Sequence, residues 1–524
     1  MERKLVPLAA ALCLGLSACG GGGGGGGGGG STPPPPGWVQ GVFRPSTDFE
    51  ARCVTPRTGI DPFTGLPFAD RSGTRTDQNN WLRSWTNHLY LWYREVPDLN
   101  PANFGTPEYF GLMMTSALTP SGRPKDNFHD TLDTAQWFAL SQSGVEAGYG
   151  VQWMILAGTP PRRVVAAFTE PGSPAAQAAI LRGAEVLMVD GADLVNGNSQ
   201  AVVDTLNAGL FPSGAGQNHS FQVRDPGGAL RSFSMQSANV TTTPVQNVTV
   251  LPTPTGPVGY FLFNDHIATS EAQLIAAVNQ LIAASVTDLV LDVRYNGGGF
   301  LDIASQLAFM IAGPGRTAGQ TFERLVFNDK HTVRDPVTLE PLTPVPFHQA
   351  TRGFSPGLPP GQPLPTLQLS RVFVITGRGS CSASESIMNG LRGVNVQVIQ
   401  IGSTTCGKPY GFYPTDNCGT TYFSIQFSGV NALDFGEYPD GFSPANTVTT
   451  PGVLIPGCSI ADDFSRALGD PLEGRLAQAL NYRANGSCSV GPSGFAPGKH
   501  AVPLPDEEGE LPKAFWRENR IVLR

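Results

Sequence analysis

The sequence predicts a multidomain α/β protein with a helical N-terminal region, a β-rich middle domain and an α/β core built on a mainly parallel sheet. Three observations support this. Residues 45–143 carry Trp, Tyr and Leu at helical spacing, and residues 144–245 carry short β-type runs closed by turn residues. Residues 246–488 alternate apolar strands with helical segments, a pattern typical of a parallel sheet covered by helices.

Composition bounds the class of protein. The chain has 524 residues and 40% hydrophobic content, enough for large cores in several domains. Charged residues make up only 15% of it and the formal net charge is -8, which argues against nucleic acid as a partner. Composition leaves the oligomeric state open.

Residues 1–18 are typical of an export signal, with a short charged start and an apolar stretch too short to span a bilayer. The motif Leu-Ser-Ala-Cys that ends at Cys19 resembles the lipobox of bacterial lipoproteins. This resemblance implies cleavage before Cys19, a lipid on its sulfur and a location in the bacterial cell envelope. By the usual sorting rule, Gly20 favours the outer membrane. An ordinary signal peptide followed by a chance cysteine is the alternative.

Two segments are predicted to lie outside the folded domains. Residues 19–44 are a glycine run followed by prolines, and such a tether spans roughly 20–30 Å by random-coil scaling. We expect it to hold the folded body away from a membrane surface. Residues 489–524 are predicted to be an extended or unstructured tail.

Six cysteines remain after the export signal and Cys19: Cys53, Cys381, Cys406, Cys418, Cys458 and Cys488. An even number in an exported chain predicts disulfides, although six cysteines allow fifteen pairings. Proximity favours Cys406–Cys418 and Cys458–Cys488. Cys53 and Cys381 are then left over, and a free buried thiol at Cys381 is the alternative. None of the spacings is typical of zinc, so no metal site or other cofactor is predicted.

Two residues of the core stand out as candidates for chemistry. Ser382 lies at a turn between a predicted strand (371–376) and a predicted helix (383–392). Lys408 follows the next strand (395–401), and it is the one lysine among six that lies in an apolar, Gly- and Cys-rich setting. A buried lysine of this kind has a lowered pKa, because burial disfavours the ammonium form.

A glycine turn at 296–299 follows another apolar strand, 288–294. If the three strands are neighbours, this turn meets Ser382 and Lys408 and points backbone N–H groups into the same cavity. Acyl transfer needs these parts: a nucleophile, a base and amide donors for an oxyanion. A neutral lysine near pH 7 requires a pKa about three units below its ordinary value, on the order of 4 kcal/mol.

These motifs resemble those of the C-terminal processing peptidases, a serine–lysine family that carries a PDZ domain. The segment Ser-Cys-Ser-Ala-Ser-Glu at 380–385 is similar to the family's Ser-Ala-Ser-Ala-Ser-Glu. Gly-Lys at 407–408 and Leu-Asp-Val-Arg-Tyr-Asn-Gly-Gly at 291–298 match two further family motifs in the right order. The resemblance spans roughly residues 80–485.

The resemblance implies a serine-type endopeptidase that acts on unfolded or C-terminally recognised polypeptides without metal or nucleotide. It implies that Ser382 is the nucleophile and Lys408 the general base. It assigns the oxyanion hole to the amide of Gly297 or Gly298 together with that of Ala383.

The chain departs from the family pattern in two ways. The interval between the serine and the lysine is one residue longer than is common. The acid or amide that often orients the lysine is also missing: Gly393 or Val394 stands where an Asp is expected, and Phe412 where a Gln is expected. No residue that orients Lys408 is predicted.

The middle domain resembles a PDZ domain of bacterial proteases. Its Gly-Tyr-Gly-Val strand start, a Pro-Gly-Ser-Pro helix start at 171–174 and an Asp-Gly turn at 190–191 follow in the expected order. The resemblance implies that the backbone amides at Tyr149, Gly150 and Val151 receive a peptide carboxylate while the peptide adds as a strand. A small β-domain without a ligand is the alternative.

The sequence leaves two alternatives to a serine–lysine peptidase. A Ser-His-Asp arrangement would have to use His266, the one histidine of seven that follows a core strand, and there is no His-Glu-x-x-His metalloprotease motif. A surface lipoprotein of the same fold that binds peptides or other ligands without cutting them is the alternative from another class.

Overall fold

The computed structural model describes residues 38–447, 452–488 and 520–521. The predicted export signal, residues 19–37 of the predicted tether with Cys19, and almost all of the predicted tail lie outside the described residues. No helix in the described part of the chain is long and apolar enough to cross a membrane.

The N-terminal region is mainly helical. Its helices are α1 (Arg75–Leu89), α2 (Thr106–Gly111) and α3 (Thr134–Ser143), and its short strands are β1 (Arg52–Cys53), β2 (Arg71–Ser72) and β3 (Asp130–Asp133). Thr74 caps α1 by a reciprocal pair of hydrogen bonds with Asp77. Trp81 and Trp85 stack on one face of α1 and pack against Tyr422 of the core. The aromatic residues of this region therefore serve packing.

The middle domain (residues 144–245) is an antiparallel β-structure with two helices. Its elements are β4 (Val145–Gly148), β5 (Val151–Ala157), β6 (Arg163–Thr169), α4 (Pro174–Gln177), β7 (Glu185–Val189), β8 (Ala192–Asp193), α5 (Gln200–Leu210), β9 (Asn218–Arg224), β10 (Leu230–Gln236) and β11 (Ala238–Thr241). The main sheet has the order β10-β9-β7-β6-β5, which leaves β5 at an edge, and β4 pairs with β11. Ser173 caps α4, since its side chain accepts the N–H of Ala176.

The core is an α/β structure around a mainly parallel sheet, as predicted. Its first half contains β12 (Val245–Leu251), β13 (Val258–Phe263), α6 (Ser270–Ala283), β14 (Asp288–Asp292), β15 (Gly299–Phe300), α7 (Leu301–Ala312), α8 (Pro314–Thr317), β16 (Thr321–Phe327) and β17 (Val345–Pro346). Its second half contains β18 (Arg371–Thr376), α9 (Ala383–Gly393), β19 (Gln397–Gly402), β20 (Tyr410–Gly411), β21 (Thr415–Asn417), β22 (Thr420–Phe423), β23 (Phe427–Val430), β24 (Phe442–Pro444), β25 (Val453–Ile455), β26 (Gly457–Ser459), α10 (Gly474–Asn485) and β27 (Arg520–Ile521).

The central sheet has the order β12-β13-β14-β18-β19-β26, with β12 antiparallel to β13 and every other pair parallel. β14, β18 and β19 are buried along nearly their whole length, which explains their continuous apolar sequences. Because they are parallel neighbours, the loops that follow them emerge at one edge of the sheet. The N-terminal region joins the core through the pairing of β3 with β22.

Candidate active site

Three loops meet at the carboxyl edge of the central sheet. They follow β14, β18 and β19 and contain the 296–299 turn, Ser382 and Lys408. The carbonyl oxygen of Asn296 accepts the N–H of Cys381 and the hydroxyl of Ser384, both at 3.0 Å. The N–H of Cys406 donates to Ser380 O at 3.0 Å. The structure therefore brings together the three segments that the sequence singled out.

Ser382 lies immediately before α9 in a strained conformation. Its φ of 57° and ψ of -111° are rare for a residue with a side chain, and such strain is typical of functional turns. The residue is fully buried, and its Oγ has no hydrogen-bond partner among the described residues. The turn thus holds a buried hydroxyl away from local backbone partners.

Lys408 is also fully buried. Its Nζ lies 4.0 Å from the ring centre of Phe128 and 5.1 Å from that of Phe412. Phe412 is the residue that stands where the related family carries a glutamine, so an aromatic face replaces an amide beside this lysine. Phe128 comes from the N-terminal region, and nothing in the sequence connected it with Lys408.

Glu385 ties the serine turn to the lysine loop. Its Oε2 accepts the main-chain N–H of Ser382 at 2.9 Å and that of Lys408 at 2.8 Å. Its Oε1 accepts the N–H of Gly407 at 2.9 Å and the hydroxyl of Thr405 at 2.5 Å. Burial raises the pKa of the Glu385 carboxyl, although these four donors favour the carboxylate. Sequence analysis missed this residue, yet Ser382 and Glu385 have the Ser-x-x-Glu spacing of a capping box.

The 296–299 turn is held by its own side chains. Asn296 Oδ1 accepts the N–H of Gly298 at 2.9 Å and lies 3.0 Å from Nδ1 of the buried His266. Among the hydrogen bonds of the described residues, none is donated by the N–H of Gly297 or of Ala383. Of the three predicted oxyanion donors, the Gly297 and Ala383 amides are therefore available and the Gly298 amide is engaged. His266 lies against this turn.

The structure contains three disulfides. Cys458 pairs with Cys488, as predicted. The predicted Cys406–Cys418 pair is wrong: Cys406 bonds to Cys381, and Cys418 bonds to Cys53. The prediction failed because the strand pairings bring distant segments together, so proximity along the chain did not decide the partners. Cys381 is accordingly neither free nor the partner of Cys53.

The middle domain carries a cavity beside its edge strand. The predicted peptide-binding residues Tyr149, Gly150 and Val151 line this cavity of about 180 Å³, together with Leu210 at the end of α5 and Phe211 after it. The Tyr149 side chain is buried and packs edge-on against Phe221. Gly150 has φ +69°, and a Cβ there would lie 2.4 Å from Ser173 Cβ. Only glycine fits this position without a shift of its surroundings.

A buried ion cluster joins the middle domain to the core. Arg182 of the middle domain donates to Asp462 Oδ1 at 2.7 Å, and Arg294 donates to the same oxygen at 2.5 Å. Arg294 also bonds to Glu473 at 2.8 Å. Burial opposes ionisation of Asp462, but the guanidinium groups of Arg182 and Arg294 hold the pKa of its carboxyl well below its ordinary value. The cluster lies beside Tyr295, which precedes the 296–299 turn and donates its hydroxyl to Asp462.

Comparisons with known proteins find a related peptidase family. Residues 257–412 match the model of peptidase family S41. The carboxyl-terminal-processing protease of Picosynechococcus sp. is 27% identical over 224 residues, which are 41% of this chain and 50% of that protein. The chain thus spans about half the length of this curated relative.

Solved structures give a similar result for the fold. A crystal structure of an S41 protease from Bacteroides fragilis superposes with a TM-score of 0.58 at 21% identity, over 78% of this chain and 97% of that one. The photosystem II D1 C-terminal processing protease covers 78% of this chain and 100% of its own, with 19% identity and a TM-score of 0.41. The resemblance predicted from the motifs is therefore confirmed: residues 257–412 of this chain match peptidase family S41.

Proposed function

We propose that this chain is a serine endopeptidase of the bacterial cell envelope in which Ser382 is the nucleophile and Lys408 the general base. The observation that carries the proposal is the position of Glu385 between the two loops. One of its carboxylate oxygens, Oε2, accepts the main-chain N–H of Ser382 at 2.9 Å and that of Lys408 at 2.8 Å. Backbone strain at a fully buried serine and full burial of a nearby lysine both cost stability, so this arrangement supports a functional role.

In the proposed reaction, Ser382 Oγ attacks the scissile carbonyl carbon while Lys408 Nζ takes the hydroxyl proton. Full burial disfavours the ammonium form and so supports a neutral lysine before the attack. The Phe128 ring face attracts a cation and stabilises the ammonium formed after the proton transfer. Lys408 then gives this proton to the leaving amine, and water hydrolyses the resulting ester on Ser382 with Lys408 again as base.

The oxyanion of the tetrahedral intermediate needs N–H donors. The unengaged amides of Ala383 and Gly297 support this role, and Ala383 follows the nucleophile directly. The Gly298 amide donates to Asn296 Oδ1, which supports a structural role for it in the turn. We therefore assign the hole to Ala383 and Gly297.

We further propose that the middle domain acts as a PDZ domain that presents the peptide. Its edge strand β5 borders the cavity at Tyr149, Gly150 and Val151, so an extended peptide has an open strand edge to pair with. Cys19 would carry the lipid anchor, and residues 19–44 would tether the enzyme to a membrane, by the sorting rule the outer one. Substrates would be unfolded or C-terminally recognised polypeptides.

The test is cleavage of an unfolded protein by the full-length chain in detergent. The wild type is expected to cleave, and Ser382→Ala and Lys408→Ala are each expected to lose activity while still binding a C-terminal peptide. Peptide binding without cleavage by the wild type would instead favour the non-catalytic lipoprotein.

For the anchor, Cys19→Ala should move the protein from the membrane fraction to the soluble one, and an unchanged distribution would overturn that part.

A further inference from the structure

We propose that the Cys381–Cys406 disulfide positions the catalytic pair and makes peptidase activity depend on the oxidised state of these two cysteines. This inference rests on the proposed roles of Ser382 and Lys408. Cys381 directly precedes Ser382, and Cys406 lies two positions before Lys408. The bond therefore joins the two catalytic loops at positions one and two residues along the chain from the two reacting residues.

The two loops need such a link because they follow different strands. Ser382 follows β18 and Lys408 follows β19, and between these strands lies the whole of α9. The disulfide holds the two Cα atoms 5.1 Å apart. Beside it, the N–H of Cys406 donates to Ser380 O at 3.0 Å. Proton transfer from serine to lysine requires alignment to within fractions of an ångström, which a covalent link sets directly.

Two non-covalent links also join the loops: the hydrogen bond from Cys406 N–H to Ser380 O and the fully buried Glu385 carboxylate. Without the disulfide, these two links would have to hold both loops, and the carboxylate would do so against the cost of its own burial. The strained Ser382 turn would then be free to relax, because strained backbone persists only where surrounding contacts over-determine it. Loss of the disulfide is therefore expected to move Ser382 relative to Lys408 without unfolding the core.

Access to the two sulfurs is unequal. Cys381 is fully buried, whereas Cys406 is half-buried, so Cys406 is the more accessible of the two to a small dithiol reductant. Its thiolate attacks Cys406 Sγ and Cys381 leaves as a thiolate. The second thiol of the reductant then closes on the first and releases Cys406. The dithiol becomes a cyclic disulfide, its two electrons pass to the cysteines, and the two protons end on their sulfurs.

The leaving thiolate would form in an unfavourable place. Both sulfurs and a Glu385 carboxylate oxygen lie within 4.8 Å of one another. A buried thiolate so close to a carboxylate is disfavoured by desolvation and by repulsion of like charge. The protein therefore favours the disulfide, and we expect the oxidised form in an oxidising compartment.

The chain contains a matched control. Cys381–Cys406 and Cys458–Cys488 have sequence separations of 25 and 30 residues, so loop-closure entropy predicts nearly equal effects on stability. The full-length double variants Cys381→Ala/Cys406→Ala and Cys458→Ala/Cys488→Ala should be compared well below both melting temperatures. The first is expected to lower kcat by about 10- to 100-fold with little change in KM, and the second to leave kcat unchanged.

Titration of the wild type with a dithiol, followed by thiol alkylation, provides a second measurement if a variant fails to fold. Labelling of Ser382 by a fluorophosphonate should fall as the Cys381 and Cys406 thiols appear, while the far-ultraviolet circular dichroism stays constant. Unchanged kcat in the Cys381→Ala/Cys406→Ala variant, or unchanged labelling after reduction, would overturn the disulfide's role alone. No cleavage by the oxidised wild type would overturn the proposed peptidase and this inference together.

Discussion

Glu385 Oε2 accepts the main-chain N–H of Lys408 at 2.8 Å, so a residue on the first turn of α9 fixes the loop that follows β19. The same oxygen accepts the N–H of Ser382. A capping side chain therefore does more than satisfy a helix end, because it sets the distance between two loops that the sheet leaves apart.

Glu385→Gln tests this relationship. An amide has one acceptor oxygen, and its NH₂ would face two of the four donors that now bind the carboxylate. We expect a loss of about 2–5 kcal/mol in the free energy of unfolding and a fall in kcat of about 100-fold. Denaturant unfolding and cleavage of an unfolded substrate measure the two effects.

Glu271→Gln is the control for this substitution. Glu271 is also buried, and its carboxylate accepts the N–H groups of Arg352 and Phe354 at 2.5 Å and 2.7 Å. The Glu271→Gln variant should lose a comparable free energy of unfolding but keep its kcat. Equal loss of kcat in both variants would mean that Glu385 serves only stability.

Gly150→Ala should weaken peptide binding to the middle domain. The positive φ costs about 1–2 kcal/mol for a residue with a Cβ, and the new atom would meet Ser173. The strand start at Tyr149–Val151 must then shift, so we expect a weaker Kd for a C-terminal peptide by about tenfold, measured by calorimetry. Gly148→Ala is the control, because nothing lies within 4 Å of its Cβ position. Equal affinities in the two variants would contradict the assigned peptide site.

Phe128→Ala should lower both stability and activity. Removal of a buried Phe costs about 3–5 kcal/mol, and here it also removes the ring face 4.0 Å from Lys408 Nζ. Phe347→Ala creates a similar cavity in the same hydrophobic core, where Phe347 packs on Phe322. Melting temperatures of the two variants should fall together, whereas kcat should fall only in Phe128→Ala. An equal loss of kcat in both variants would mean that Phe128 serves only packing.

Asp462→Asn should change how stability depends on pH. The folded pKa of Asp462 lies below the unfolded value of about 3.9, so its stabilisation is complete above the unfolded pKa and is lost as pH falls through the folded one. At pH 7 the variant is expected to be less stable by about 3–5 kcal/mol, because the buried arginines lose their partner. The difference in the free energy of unfolding between the wild type and the variant should become smaller below about pH 4. A constant difference across pH 3–7 in denaturant unfolding would contradict the assigned ionisation.

The elements around the site could be predicted from sequence because their signals are local. The predicted strand at 371–376 matches β18, and the predicted helix at 383–392 matches α9 to within one residue. Their apolar patterns and flanking turns are contained within the segments themselves. The arrangement of Ser382, Lys408 and the glycine turn followed from the rule that parallel neighbours end at one edge.

The groups that complete the site depend on tertiary contacts. Phe128 reaches Lys408 only because the N-terminal region pairs with the core through β3 and β22, which no local pattern records. The disulfide partners follow from the same packing, and proximity along the chain misassigned Cys406. Glu385 is different, since its spacing from Ser382 is a local signal that sequence analysis overlooked.

The Cys53–Cys418 bond, across a sequence separation of 365, turns most of the protein into a covalent ring. The ring contains the middle domain, Ser382 and Lys408. A proteolytic cut in any surface loop of this ring opens it without releasing a fragment, so the pieces stay joined and their contacts stay intramolecular. A first nick therefore becomes visible as a smaller fragment only after reduction.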